Sequence, residues 1–180
     1  MRRRAAPLVL GMVVLAGCGA QGKAFEGGGV RFEYPADWRA IDEVRSRATL
    51  GEPLSRIVVG IDGANFVLVS TYRVTADITE GNVDDYVAQV VGEIGDAIRE
   101  GGGRLTEPTR ISLGELPAVR FRASGSNPDG VAVTDTIVVA FRGTTEYFIN
   151  CQHTPDHAEE IGGGCDRIVE TFEVQGVQGE

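Results

Sequence analysis

Two cysteines and both histidines of the chain lie in one short segment near the C-terminus, with the spacing Cys151-x-His153-x3-His157-x7-Cys165. In an oxidising compartment, two such cysteines normally form a disulfide, which would close a loop of about 15 residues and stabilise the fold by about 3 kcal/mol. The alternative is a structural zinc site, because two thiolates and two imidazoles are a common zinc ligand set. The spacing matches no common zinc motif. The sequence therefore predicts the disulfide and leaves a metal site on His153 and His157 as the alternative.

The third cysteine, Cys18, ends a segment that is typical of an exported leader. Arg2-Arg3-Arg4 is a positive n-region, and Leu8–Ala16 is an apolar stretch. That stretch is shorter than the about 20 residues that a membrane-spanning helix needs, which favours a secretory signal. Leu15-Ala16-Gly17-Cys18 resembles the bacterial lipobox. This resemblance implies cleavage before Cys18 and diacylation of its sulfur.

Residues 1–17 are therefore expected to be a lipoprotein signal peptide, and residues 18–29 a lipidated cysteine with a flexible, glycine-rich tether. Two acyl chains hold a protein on a membrane stably. We expect a protein anchored by lipid to the extracytoplasmic face of the cell membrane.

The charge of the chain excludes several classes of partner. It carries 17 basic and 26 acidic residues, a formal net charge of −9. Nucleic-acid binding needs clustered cations, so this acidic chain is unsuited to it. Anionic lipid headgroups would also repel its surface. Contact with the membrane is thus expected through the lipid on Cys18.

The search for catalytic motifs finds none. The sequence has no Gly-x-Ser-x-Gly elbow, and no phosphate-binding glycine loop precedes a helix. Arg120 and Arg122 share one face of a strand, and we expect this face to be solvated rather than to bind anions. The sequence predicts a protein that is not an enzyme and holds no cofactor.

The elements that position these residues form one domain over residues 30–175, followed by a short tail over 176–180. Alternating apolar residues predict strands, and an apolar stripe of helical period predicts a long helix that starts at Asn82 and ends at glycines 101–103. The predicted strands cover 30–34, 56–61, 65–74 and an antiparallel meander at about 104–113, 117–124, 131–142 and 145–151, with a turn at 142–144. Strands followed by helices of this kind predict an α+β fold, an antiparallel sheet with helices packed on it.

Two parts of this domain are less regular. A terminal helix begins near Pro155, but Gly162–Gly164 are expected to interrupt it before a second short helix from Cys165. Residues 42–55 are charged and irregular, so they are expected to form a short helix or a mobile loop. Trp38, the only tryptophan, is expected in the core.

Three stretches of the chain carry a family resemblance. They are Val30–Trp38 with its Tyr-Pro-x-x-Trp pattern, Gly114–Ala118, and Tyr147–Cys151 together with Cys165–Phe172. Over about 25–174 the chain resembles the PsbP-like fold, and most of all the LpqN-type lipoproteins of actinobacteria. The resemblance implies an α/β/α sandwich and an extrinsic or accessory role, with no shared catalytic centre.

These observations predict a non-enzymatic binding or accessory lipoprotein of the cell envelope, whose partner is an envelope protein or a cell-wall ligand. The alternative is a carrier of a small ligand, with a pocket between the sheet and residues 42–55 near Trp38. A metal-binding protein or metal-dependent enzyme that uses His153 and His157 is a further alternative.

Overall fold

The computed structural model describes residues 22–42 and 51–175. The expected signal peptide, Cys18, the tail and most of the 42–55 segment lie outside the described residues. The elements are, in chain order, β1 (Lys23–Gly27), β2 (Val30–Tyr34), β3 (Arg39–Ala40), β4 (Ser55–Gly60), β5 (Phe66–Ile78), α1 (Val83–Glu100), β6 (Arg104–Leu105), β7 (Thr109–Leu113), β8 (Leu116–Ser126), β9 (Ala132–His153), a 3-10 turn (Pro155–His157), α2 (Ala158–Thr171) and β10 (Glu173–Val174).

The strands form two antiparallel sheets. The larger has the order β3-β4-β5-β9-β8-β6, with β7 also paired to β8, and the smaller has the order β1-β2-β10. Residues 23–27, which were expected in the flexible tether, instead form β1 and pair with β2. The apolar ring of Phe25 stacks on Phe32 at a centroid distance of 5.1 Å, so this part of the chain belongs to the folded domain.

Strand β9 is 22 residues long and changes its partner halfway. Ala132–Ala140 pairs with β8, whereas the part from Gly143 onward pairs with β5. A straight strand of this length would span roughly 70 Å, yet Val133 and Gln152 line the same cavity. The run therefore reverses near Gly143, which has a φ of +58°. This agrees with the turn predicted at 142–144, and it places the two halves of β9 side by side.

The larger sheet is covered by a helix on each face, which gives the predicted α+β architecture. One buried cluster lies under α2 and contains Trp38, and the other lies under α1. Helix α1 buries Val90 and Ile94 from its apolar stripe, as the helical period predicts. Within the described residues, no helix has the length and hydropathy needed to cross a bilayer.

Helix α2 corrects the sequence prediction, because Gly162–Gly164 do not interrupt it. A Cβ at Gly164 would collide with the ring of Trp38, so the glycine lets the helix approach the buried indole closely. Tertiary packing thus outweighs the low helix propensity of glycine. The predicted disulfide between Cys151 and Cys165 is present, with a Cα–Cα distance of 6.0 Å, and it ties α2 to β9.

Candidate functional site

A cavity of about 580 Å³ lies between α1 and the sheet face that β5, β8 and β9 form. Its lining is mostly apolar and comes from both layers. Side chains on α1 form one wall, and residues of the three strands, several of them consecutive, form the other. The lining includes the aromatic residues Tyr72, Tyr86 and Phe141, the acidic residues Glu93, Asp135 and Glu146, and the small residue Ala123.

Small residues on β8 leave room for this cavity. Ala123 and Gly125 face the helix where larger side chains would fill the space between the layers. A Cβ built on Gly125 would meet only the Cα of Gly103, at 3.4 Å, so no bulky side chain packs on that position. Interiors are normally packed to crystal-like density, and a volume of this size under a helix is therefore a specific feature of the fold.

Glu146 is the main polar group of the cavity. It lies in the second half of β9, opposite Tyr72 of β5, and its side chain is buried, with 5% relative exposure. Its Oε1 has no hydrogen-bond partner among the described residues. Burial, and to a smaller extent the nearby carboxylate of Glu93 on α1, together raise the pKa of Glu146 from 4.5 to about 7.

Further buried polar side chains lie on the same face as Glu146. Asn150 and Gln152 follow it at the two-residue spacing of a strand, and Ser70 lies on the neighbouring strand β5. Gln152 Nε2 donates to the carbonyl oxygen of Ala64 at 3.1 Å. The face under α1 therefore combines an apolar surface with a short polar row.

The cavity under α1 is not the pocket expected between the sheet and residues 42–55 near Trp38, because Trp38 lies on the opposite face of the sheet. A separate cavity of about 370 Å³ is lined by Trp38 together with Asp37, Gly60 and Glu160, and the described residues of the 42–55 segment do not line it. The indole of Trp38 is 1% exposed and packs in the cluster under α2. The expectation that Trp38 belongs to the core is confirmed. Of the 42–55 segment, Gly51 is the residue that lines the cavity under α1, and residues 43–50 lie outside the described residues.

The structure separates the members of the alternative metal site. Cys151 and Cys165 are bonded to each other, so their sulfurs are not thiolate ligands. His153 Nδ1 lies 3.0 Å from the carbonyl oxygen of Thr154, and His157 Nδ1 lies 3.2 Å from Glu160 Oε2. Over residues 22–42 and 51–175, no group of three or more His, Cys, Asp or Glu residues could hold a metal ion.

The two arginines of β8 differ in their surroundings. Arg122 is exposed, as expected for a solvated face. Arg120 is partly buried, and its Nη2 donates to Asp166 Oδ1 of α2 at 3.1 Å. Arg120 therefore contributes to helix packing rather than to an open patch for anions.

Sequence reasoning missed Glu146 and its cavity. A usable signal was present, because Glu146, Asn150 and Gln152 recur at every second or fourth position of a strand that is otherwise apolar on both faces. Such a polar row in a central strand points to a site on one face of the sheet. The position of Glu93 gave no such signal, because the acidic positions of an amphipathic helix are normally solvated.

Comparisons with known proteins show what this fold is. No family model and no curated protein matches the chain. Among solved structures, cyanobacterial PsbP (CyanoP) from Synechocystis sp. PCC 6803 is similar with a TM-score of 0.59 and 16% identity, over 92% of this chain and 98% of that one. LpqN, described as involved in cell envelope biogenesis of Mycobacterium tuberculosis, has a TM-score of 0.54 and 19% identity, over 87% and 91%.

A third similar structure is the protein PA94 of Pseudomonas aeruginosa, with a TM-score of 0.51, 15% identity, and coverage of 83% of this chain and 94% of that one. At sequence identities this low, the structural similarity establishes a shared fold and does not by itself assign a function. The chain thus has the PsbP-like, LpqN-type fold that its sequence resembles, an α+β sandwich of antiparallel sheet and helices.

Proposed function

We propose that this protein is a non-enzymatic binding lipoprotein of the cell envelope that holds a small, largely apolar ligand in the cavity beneath α1. One observation carries the proposal: a cavity of about 580 Å³, apolar over most of its lining, contains a buried carboxyl group. Ligand sites are typically clefts of about 300–1,000 Å³ with apolar walls and a few placed polar groups.

The composition of the lining favours binding over catalysis. Among the described residues that line the cavity there is no histidine, cysteine or lysine, and the hydroxyl groups are those of Thr75, Ser124, Ser126 and two tyrosines. A single buried acid can orient a ligand without any chemistry. The role of accessory envelope protein is supported by the fold that the chain shares with LpqN, whose description places it in cell envelope biogenesis.

A cavity-filling substitution tests the ligand site. Ala123 is buried, with 3% exposure, and lines the cavity, so Ala123→Phe should occupy part of its volume. The exposed Ala24 of β1, which pairs with Glu33 in the smaller sheet, provides the matched control Ala24→Phe. The neutral fluorophore N-phenyl-1-naphthylamine serves as the probe, and circular dichroism verifies that each variant folds.

We expect saturable probe binding by the wild type and by Ala24→Phe, and at least about tenfold weaker binding by Ala123→Phe, since the bulky ring occupies volume that the probe needs. Absence of saturable binding by the wild type would overturn the proposed ligand site. Equal binding by the two phenylalanine variants would show that the probe binds outside the cavity.

The envelope location has its own test at Cys18. The Cys18→Ala variant should be absent from the membrane fraction, because the lipid on Cys18 is the proposed means of attachment. Fractionation and immunoblotting of both forms measure this directly. Retention of the alanine form on the membrane would contradict lipid anchoring and would indicate another attachment.

A further inference from the structure

We propose that the cavity selects organic cations, namely amphiphiles that carry a protonated amine on an apolar body, and that Glu146 is the residue that receives the amine. This inference rests on the proposed function, since it names the ligand class of the same site. It follows from the charges, the aromatic rings and the unpaired carboxyl oxygen that meet in the cavity.

Three carboxyl groups line the cavity, those of Glu93, Asp135 and Glu146. Glu146 lies on the sheet wall, and Glu93 on α1 lines the same cavity from the helix side. The two carboxyl groups are close enough to repel each other. A cation bound near Glu146 would remove this repulsion and compensate the charge of a carboxylate that the fold has taken out of water.

One oxygen of Glu146 is left without a hydrogen-bond donor. Glu146 Oε1 is buried and accepts no hydrogen bond from any described residue. A buried acceptor without a donor costs free energy, and a ligand donor recovers it. An ammonium group offers three donors and no acceptor, so it can serve Glu146 and still reach a second oxygen.

Aromatic rings line the same cavity as the acid. Tyr72, Tyr86 and Phe141 all line the cavity with Glu146. Tyr86 of α1 and Phe141 of β9 lie with their ring centroids 6.4 Å apart. Aromatic faces attract cations, and aromatic groups beside a carboxylate are typical of sites that recognise organic ammonium ions.

Other ligand classes fit the cavity less well. An anionic head would face Glu146 and Glu93 together. A metal ion would need more hard ligands than the described residues bring together here. Arg73 also lines the cavity, but its side chain is exposed. Tyr72, and not Arg73, lies on the same sheet face as Glu146, so Arg73 does not place a positive charge beside that carboxyl group. The apolar part of the lining, which includes Val90, Ile94, Val133 and Ile137, would contact an apolar body.

The test compares three probes that share one alkyl chain and differ in head charge: n-decylamine, 1-decanol and decanoate. Each probe is titrated into the full-length protein with bound N-phenyl-1-naphthylamine, and loss of fluorescence measures its displacement. The titrations are done at about pH 8, where the carboxyl group of Glu146 is largely ionised and the amine is charged. The variants are Glu146→Gln and, as a control that removes one exposed negative charge elsewhere, Glu115→Gln.

We expect the wild type and Glu115→Gln to bind decylamine about tenfold or more tightly than decanol, and decanoate most weakly. In Glu146→Gln, decylamine and decanol should bind within about threefold of each other, while decanol binding persists. An acidic protein attracts any cation, and Glu115→Gln removes the same charge as Glu146→Gln. A difference between these two variants therefore reports the position of Glu146 and not the net charge.

Three results would overturn different parts of these proposals. If the fluorophore binds saturably but decanol equals or exceeds decylamine, the cation proposal is overturned while the ligand site stands. An amine preference that survives in Glu146→Gln would overturn the role of Glu146. If neither the fluorophore nor any alkyl probe binds, the proposed function itself is overturned.

Discussion

Replacing Glu146 with glutamine should make the protein more stable at neutral and alkaline pH. The pKa of Glu146 is about 7 in the folded chain, raised from 4.5 by burial and by Glu93. Between these two pH values the folded state keeps a proton that the unfolded state has lost, so the free energy of unfolding falls as pH rises. Below about pH 4.5 both states hold the proton and this loss is absent.

The size of the effect follows from the shift in pKa. Each unit of difference corresponds to about 1.4 kcal/mol, so ionisation of Glu146 should cost about 3 kcal/mol of stability once the pH exceeds 7. Glutamine has nearly the same shape and carries no charge to desolvate. Glu146→Gln should therefore be more stable than the wild type by about 3 kcal/mol near pH 8, or roughly 10 °C in Tm, and within about 1 kcal/mol of it near pH 5.

Urea and thermal unfolding followed by circular dichroism, at a series of pH values, measure this difference. The comparison of the two proteins isolates Glu146, because every other titrating group is common to both. Glu93→Gln should remove a smaller part of the pH dependence, since burial is the larger cause of the shift, and the exposed Glu115→Gln should remove none. Parallel stability curves for wild type and Glu146→Gln would refute the reasoning, because they would mean that the carboxyl group is hydrated in the folded state.

Further predictions concern the layer under α2. Gly164→Ala should destabilise the protein by about 2 kcal/mol or more, because its methyl group would collide with Trp38. Gly163→Ala should stabilise it by about 0.5–1 kcal/mol, because that position is open and alanine favours the helix. Equal changes in the free energy of unfolding for the two alanine variants, measured in urea, would contradict the close contact of Gly164 with Trp38. Replacing Cys151 and Cys165 together with alanine should cost about 3 kcal/mol, and a Tm unchanged by the replacement or by reduction would show that the bridge adds little.

Features with local causes could be predicted from the sequence. The apolar stripe of α1 and the alternation of the strands are periodic patterns that hold within one element. The pairing of Cys151 with Cys165 followed from the expected compartment and from the assignment of Cys18 to the lipid. The strand predicted over 104–113 is two short strands, β6 and β7, separated by a segment with Pro108, which has no N–H for the ladder.

Features that depend on contacts between distant residues could not be predicted. The continuity of α2 through Gly164 depends on Trp38, which lies far away in the sequence. The cavity depends on small residues of β8 meeting α1, and the electrostatics of Glu146 depend on Glu93 of another element. Each of these residues has an ordinary local role, and only the fold brings them together.

The two helices are held on the larger sheet by different kinds of contact. On one face, the disulfide, the close contact of Gly164 with Trp38, and the ion pair of Arg167 with Glu33 at 2.6 Å fix α2 to the strands. On the other face, α1 covers a cavity, and its cross-element ion pair, Asp84 with Arg110 at 2.8 Å, is exposed and therefore weak. Regions with fewer buried contacts open at lower free-energy cost. The cavity therefore lies under the helix with the weaker cross-element ion pair, and the α2 face forms the rigid support of the site.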